Sequence, residues 1–574
     1  MQSARLDKDA AYIAMPSTPR DDQLGVPSSS APTSRRRIWF VLAVIVVCGA
    51  VIAALGAYFV YVNKVDNQAK TILSNLQSTP GIYVTLTAKR DSMKFHGAST
   101  AEAYVFPRGT VDGTLSFDGM VTFRNDVVTT TFTLLNDRVY LSTASATSGD
   151  VLEVTCLKPS QVPPIHLMAY SLTTSTVLDE VKGTDPTLCP SGKLLQLSFA
   201  GESFVFCNGL DNKLQRATSD DLDVVIQYVS DPTKLPDLAA PSGANGTAPL
   251  DCPIVVPTDV PVAPVPSYVE TASMVLNAAT GPTRSFTIKT SSCECRRSPQ
   301  PCLFVHGIGV STSGPIVDSF EKYWGTIHEY APCCSSTKFV QFDTVSQGWT
   351  DPTLQKAFCN AALQTSVGAK QNTVGSLILV AHSMGNLIAG GAVASGMCQF
   401  SSEVTWMSLS APMQGSQTTN LLSTKCAATN NWSDQGFAAV LGLAGLCPSP
   451  RAYVQLQHQT TVASDMQSKY LQAQAVRRAR AAHVLCGTDS FGLVSAMSIP
   501  LAVVGAMSGH SDHVHDGVVD LTSCMAGISG DGVGDDSSNF HYMAAVNHLD
   551  TSFRYGDGWW GYDRKPQKWF ECAL

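Results

Sequence analysis

The sequence predicts an α/β domain with a largely parallel sheet flanked by helices, preceded by a β-rich domain and a single N-terminal transmembrane helix. Three observations carry this expectation. After residue 267, short uninterrupted apolar strands such as Leu303-Phe304-Val305, Phe339-Val340-Gln341-Phe342, Leu377-Ile378-Leu379-Val380 and Val404-Thr405-Trp406-Met407 alternate with helical stretches, the pattern of strands covered on both faces. Over 80–231, alternating segments such as Ile82-Tyr83-Val84-Thr85-Leu86-Thr87 recur between turn-forming pairs. From Ile38 to Val62 the chain runs 25 residues without a charge, enough as a helix to cross a hydrocarbon core of about 30 Å.

The apolar segment follows a polar, Ser- and Pro-rich head ending in Arg35-Arg36-Arg37, so residues 1–37 read as a disordered cytosolic tail and 38–62 as an uncleaved anchor. On that reading the protein is a single-pass type II membrane protein whose N-terminus is cytosolic. Everything after Asn63 then lies in the lumen or outside the cell. Of the 17 cysteines, Cys48 falls in the span and the other 16 lie beyond it, an even number suited to disulfides in an oxidising compartment. Four precede the second domain and twelve lie within it, so each region could close its own bridges, in pairings the sequence does not give. Sequons at Asn245 and Asn431 are compatible with a glycoprotein.

The β-rich region places Asp118-Gly119, Asn136-Asp137, Ala200-Gly201 and Asn208-Gly209 between its strands. Residues that tolerate positive φ at such points favour hairpins, hence an antiparallel sheet or open barrel with a helix or two. It contains no cluster of acids, bases or metal ligands. The reading is therefore a spacer or substrate-presenting module, and a lipid-holding half-barrel is the sharper alternative. Prolines crowd residues 232–266, a stiff linker, and the α/β domain occupies 267–574. A formal net charge of −8 and a pI near 5.8 leave no basic stripe for phosphates, which excludes nucleic acid as a partner.

Chemistry concentrates at Leu377-Ile378-Leu379-Val380-Ala381-His382-Ser383-Met384-Gly385-Asn386, an apolar strand, a sharp turn and a small-residue helix. A serine lifted off a sheet on a strained turn needs small residues two before and two after it, here Ala381 and Gly385. The segment resembles the nucleophile elbow of the α/β-hydrolase superfamily, in particular triacylglycerol lipases and esterases, with Ala381 in place of the usual first glycine. Upstream, Cys302-Leu303-Phe304-Val305-His306-Gly307-Ile308-Gly309 runs from a strand into a glycine-containing loop. The resemblance implies that the backbone N–H groups of Ile308 and Met384 form the oxyanion site. His306 is read as ordering the loop.

Late in the chain, Ala544-Ala545-Val546-Asn547-His548-Leu549-Asp550 supplies His548 as the general base, with His541 as competitor. Asp516-Gly517-Val518-Val519 resembles the lipase segment that carries the acid, making Asp516 the choice; Asp489, ending the run His483 to Asp489, is the alternative acid, and Asp512 and Asp520 follow. Leu409 to Ser416 resembles the lipase Pro-x-x-Gly-Ser segment, departing at Met413, and opens a lid-like insertion over about 413–480. His510, His513 and His515 beside Asp512 and Asp516 could suggest zinc, yet with no distant ligand pair they read as loop histidines. A structural calcium near Asp550, which the resemblance also suggests, lacks matching ligands. No metal and no cofactor is expected.

The functional expectation is a membrane-anchored serine hydrolase cleaving carboxylic esters, lipid esters foremost, through an acyl-enzyme on Ser383. Its partners are an ester substrate and, through the N-terminal helix, a membrane. The alternatives are a transacylase and a catalytically silent hydrolase-fold binding or adhesion module.

Overall fold

Alternate residues along the buried strands divide between two apolar layers, as a sheet covered on both faces requires. Leu303, Val305, Leu377, Leu379 and Ala381 face one core with Leu387 and Ile388 of the helix after Ser383. Cys302, Phe304, Ile378 and Val380 face the other, with Trp569 and Phe570 near the C-terminus. The computed structural model describes residues 68–254 and 284–574, apart from 96, 110–114, 159–160, 163–167, 185, 244–245, 290–291 and 428–448. Asn245 and Asn431 lie outside the described residues.

These strands form an eight-stranded sheet in the order Gly314–Val317, Cys334–Gln341, Gln300–Val305, Leu377–His382, Val404–Leu409, Ala481–Gly487, His541–Ala544, Val533–Gly534. The sheet is mixed, which corrects the expectation of a largely parallel sheet: Gly314–Val317 runs antiparallel to Cys334–Gln341 at the edge, while the inner neighbours are parallel. The inner strands need crossover helices, whereas an edge strand can return by a short loop. Helix Ser464–Arg480, the last part of the expected 413–480 insertion, packs on the helix Met384–Ala394, where Gly390 leaves room for Ala473.

Before it stands an eleven-stranded antiparallel sheet, ordered from Val151–Cys156 through Gly81–Ala88 to Thr176–Leu178. Left-handed backbone at Asn136, Asp137 and Ala200 makes the expected turns. Asp118-Gly119 makes none. It lies inside strand Leu115–Arg124, and the glycine is needed because a Cβ there would meet the Tyr104 carbonyl oxygen at 2.7 Å.

This large sheet shares an apolar core with the eight-stranded part. Phe491 and Trp559 join Ile72, Leu76, Phe123 and Phe206 in a single apolar cluster. Strand Ser285–Thr287 pairs in parallel with Glu180–Lys182. The Pro-rich stretch is tied down as far as residue 254 by the Cys156–Cys252 disulfide and by Arg138, which donates to Asp251 Oδ1 at 2.8 Å. The adjacent Cys333 and Cys334 are bridged separately, to Cys295 and Cys302, and Cys293 is bridged to Cys572.

The two parts also meet in a buried ionic cluster. Lys565 Nζ lies 3.2 Å from Glu202 and 3.7 Å from Asp221; Lys568 Nζ is 2.7 Å from the same Asp221 oxygen; Arg90 pairs with Glu571 at 2.8 Å. Burial opposes each charge, yet the facing carboxylates hold the Lys565 pKa above its ordinary value, and Lys565 and Lys568 hold that of Asp221 below its own.

The expected membrane helix at 38–62 falls outside the described residues, and among the described residues no helix is long and apolar enough to cross a membrane. The longest described helix, Ser464–Arg480, has 17 residues and carries Lys469, Arg477, Arg478 and Arg480, whereas a span takes about 20 predominantly apolar residues. The N-terminal anchor, the membrane as a partner, the type II topology and the lumenal or extracellular placement built on it are withdrawn.

Replacing Lys565 with Met leaves Glu202 without its cation inside the core. Breaking a buried pair from one side costs about 3–5 kcal/mol. Guanidinium unfolding monitored by far-UV circular dichroism should show a correspondingly lower midpoint, and an unchanged midpoint would contradict the role given to this cluster.

Candidate active site

The backbone at Ser383 adopts φ 54 and ψ −130, a conformation that costs a non-glycine residue of order 1–3 kcal/mol. Neighbouring groups impose it. The Ser383 N–H donates to Leu409 O at 2.9 Å. The Asn386 side-chain amide donates to Ala381 O, Ser383 O and Leu409 O at 2.8, 3.2 and 3.2 Å, fastening the turn to the strand that leads into it and to the neighbouring strand Val404–Leu409. A Cβ on Gly385 would meet Val305 O at 2.5 Å, so only glycine lets the following helix start so close to the neighbouring strand. Ala381 is fully buried.

The Ser383 hydroxyl donates to His548 Nε2 at 2.9 Å, and His548 Nδ1–H donates to Asp516 Oδ2 at 2.8 Å. The other Asp516 oxygen accepts the Val518 and Val519 amides at 3.0 and 2.7 Å, and the His548 N–H donates to the Asp516 carbonyl at 2.9 Å. Burial pushes the Asp516 carboxyl toward its neutral form, but His548 and the two amides outweigh it and hold the pKa below the ordinary carboxylate value. Gly487, ending its strand, makes the space: a Cβ there would meet the Asp516 Cβ at 2.7 Å.

The other acids and bases weighed from the sequence stand elsewhere. Asp489 Oδ1 accepts the Phe491 amide at 2.9 Å, Asp512 Oδ1 accepts the Val514 amide, and Asp520 Oδ1 accepts from His510 Nδ1 at 3.0 Å. His541 sits in a sheet strand, its Nδ1 buried without a partner among the described residues. The His510 and His515 rings stack 4.0 Å apart, and among the described residues no group of three or more His, Cys, Asp or Glu could hold a metal ion.

The loop after strand Gln300–Val305 closes over the serine. A Cβ on Gly307 would meet the Ser383 Cβ at 2.5 Å, so this glycine permits the approach. His306 is buried, accepts the Phe342 amide on Nε2 at 2.9 Å and is depressed by burial to about 4, a neutral ring ordering the loop. Ile308 follows at the cavity wall and Met384 at the helix start. Among the described residues, neither of their amide groups donates to a protein acceptor.

A second set of side chains lies beneath, and the sequence reading gave it no part. The Gly307 amide donates to Tyr323 Oη at 2.7 Å; Tyr323 Oη–H, its pKa raised to about 12 by burial, donates to His382 Nδ1 at 2.7 Å; His382 Nε2–H donates to the His548 carbonyl at 2.9 Å. Burial, then the nearby His548, holds His382 well below its ordinary value and so neutral. His382 stood in the elbow motif and could have been questioned. Tyr323 lies on helix Glu321–Trp324, for which no motif spoke. Arg554 completes the set, donating twice to the Tyr323 carbonyl at 3.0 and 2.9 Å.

Strand order, elbow and loop together make this a hydrolase-like fold. No protein-family model matches the chain, and no curated protein matches it. Among solved structures it is similar to lipase 1 from Pelosinus fermentans, at 13% identity and a TM-score of 0.26, covering 48% of this chain and 97% of that one. It is similar to a metagenomic carboxyl esterase at 14% identity and a TM-score of 0.28, covering 50% of this chain and 76% of that one. It is also similar to LprF from Mycobacterium bovis, at 13% identity and a TM-score of 0.20, covering 31% of this chain and 98% of that one.

Asp550, two residues after His548, ties that loop to the next: its Oδ2 accepts the amides of Asn547 and Leu493, each at 2.8 Å. Burial raises its pKa to about 8, far above the ordinary value near 4. A carboxyl raised on folding stabilises the fold fully below its unfolded pKa, and that contribution is lost as pH climbs toward the folded value. Asp550→Asn, which does not titrate, should therefore gain on the wild type between pH 4 and 8, by up to about 1.4 kcal/mol per pH unit. Urea midpoints of both proteins across that range test this, and parallel curves would refute it.

Proposed function

We propose that this protein is a serine hydrolase that cleaves carboxylic esters, lipid esters foremost, through an acyl-enzyme on Ser383. The observation carrying the proposal is the unbroken series of hydrogen bonds from Ser383 Oγ through the His548 ring to a buried, ionised Asp516. In this mechanism His548 Nε2 takes the hydroxyl proton as Oγ attacks the ester carbonyl, and the imidazolium so formed faces the Asp516 carboxylate. The carbonyl oxygen gains the negative charge and accepts the N–H groups of Ile308 and Met384, a contribution of roughly a hundred- to a thousandfold for one such donor. His548 then protonates the departing alcohol. Water repeats the sequence on the acyl-enzyme, losing its proton to His548, and the acid leaves as Ser383 Oγ regains its proton.

The lipid-ester reading is supported by the cavity around Ser383, of about 540 Å³, where Leu422, Met497, Leu501, Val518 and Leu549 give an apolar wall next to Thr418, Thr419 and Gln341. Such a wall suits an acyl chain, and the few polar groups suit the ester end.

Ser383→Ala should lower ester turnover by about a million-fold and abolish labelling by a fluorophosphonate probe while the fold is retained. Asp516→Asn should cost about ten-thousand-fold, whereas Asp489→Asn should keep turnover close to wild type. Steady-state hydrolysis of short- and long-chain p-nitrophenyl esters distinguishes these outcomes. Full activity of the serine variant, or a large loss at Asp489 with none at Asp516, would defeat the assignment.

A further inference from the structure

On the face of the eleven-stranded sheet turned to the eight-stranded part lies a second cavity, of about 440 Å³. Met93, Phe95, Phe123, Phe132, Leu493 and Trp559 line it. The rings of Phe123 and Trp559 meet edge-on with centroids 4.8 Å apart, and those of Phe95 and Phe123 lie 4.7 Å apart. Protein interiors tolerate few voids larger than a water molecule, because the lining atoms forfeit their dispersion contacts. An aromatic-walled space of this size falls within the range of ligand sites. One wall atom asks for more than apolar contact. Trp559 is 6% exposed and its indole Nε1 is buried with no hydrogen-bond partner among the described residues. A buried donor left unpaired costs about 1–3 kcal/mol, so an acceptor oxygen on the occupant would relieve it. At the rim stand Asp91 and Lys94, paired at 2.8 Å, with side chains 67% and 42% exposed, giving the space a polar end toward solvent. Arg554 belongs both to this cavity and to the one around Ser383.

We propose that this cavity is a second binding site, separate from the Ser383 cavity, for a long-chain acyl group, with the chain among the aromatic rings and the Trp559 N–H donating to the acyl carbonyl oxygen. The site makes no use of Ser383 chemistry and stands or falls independently of the reading above. Its test uses the full chain carrying Ser383→Ala, so that an ester survives, mixed with a diazirine-bearing palmitic acid or with the methyl ester of that acid, photolysed and mapped by peptide mass spectrometry. Labels on 91–97, 123–132 or 553–560 are expected. Labelling by both probes identifies the acyl chain itself as the ligand, and labelling by the acid alone identifies the free acid. Labels confined to 308–312, 418–422 and 497–501, or none at all, would overturn the proposal. Trp559→Phe keeps a ring in the wall and removes only the donor. It should raise the dissociation constant for palmitic acid about three- to tenfold, and an unchanged constant would overturn the hydrogen bond assigned to Trp559.

Discussion

The backbone of Ser383 is the constraint to which the rest of the site is fitted. Held at φ 54, it cannot relax toward ordinary backbone without breaking the bonds from Ser383 N to Leu409 O and from the Asn386 amide to three carbonyls. Two glycines are there on its account: Gly385 lets the helix begin beside strand Gln300–Val305, and Gly307 lets the loop above come within contact of the serine. The strain is local and small beside the burial of the central strands on both sheet faces. Such strain persists where its surroundings over-determine it, and here those surroundings are buried strands and a buried helix start.

Around that turn the chain arranges two chains of hydrogen bonds that meet at one residue. One passes through the His548 ring from Ser383 to Asp516; the other runs from Gly307 through Tyr323 and His382 to the His548 carbonyl. The loop over the serine and the loop carrying His548 are thereby fixed to each other through neutral, buried groups. Neutrality matters, because a charged histidine in that position would need a counter-ion the core does not offer.

What could be read from the sequence follows the range over which each interaction acts. The elbow was legible because its determinants, Ala381 and Gly385, lie two residues from Ser383. Asp516 was separable from Asp489 only by local likeness, since both follow a strand or turn that could deliver an acid to His548; Gly487, which leaves Asp516 its space, spoke only once the strands were placed. Tyr323 was illegible: it reaches His382 across 59 residues with no motif around it. Asp118-Gly119 misled because glycine serves close backbone approach as readily as a turn, and here it serves the former against Tyr104. The membrane helix rested on apolar length, the flanking Arg35-Arg36-Arg37 and the cysteine count, none of which involves a tertiary contact. The shared core of the two sheets was hidden for a different reason, that Phe491 and Trp559 look like any buried aromatic until their neighbours are known.

The buried ionic cluster bears on how the protein is made. Glu202 and Asp221 are laid down long before Lys565 and Lys568: the Asp221 and Lys568 partners stand 347 residues apart in the chain. The large sheet can pair its strands early in synthesis, since nearly all of its ladders join neighbours in sequence, yet Glu202 and Asp221 meet these two lysines only once residues 565 and 568 have been made. Cys293 likewise waits for Cys572. A chain lacking Lys565 and Lys568 keeps Glu202 and Asp221 in its interior without either lysine, a defect local to the junction of the two sheets rather than to the large sheet's own ladders.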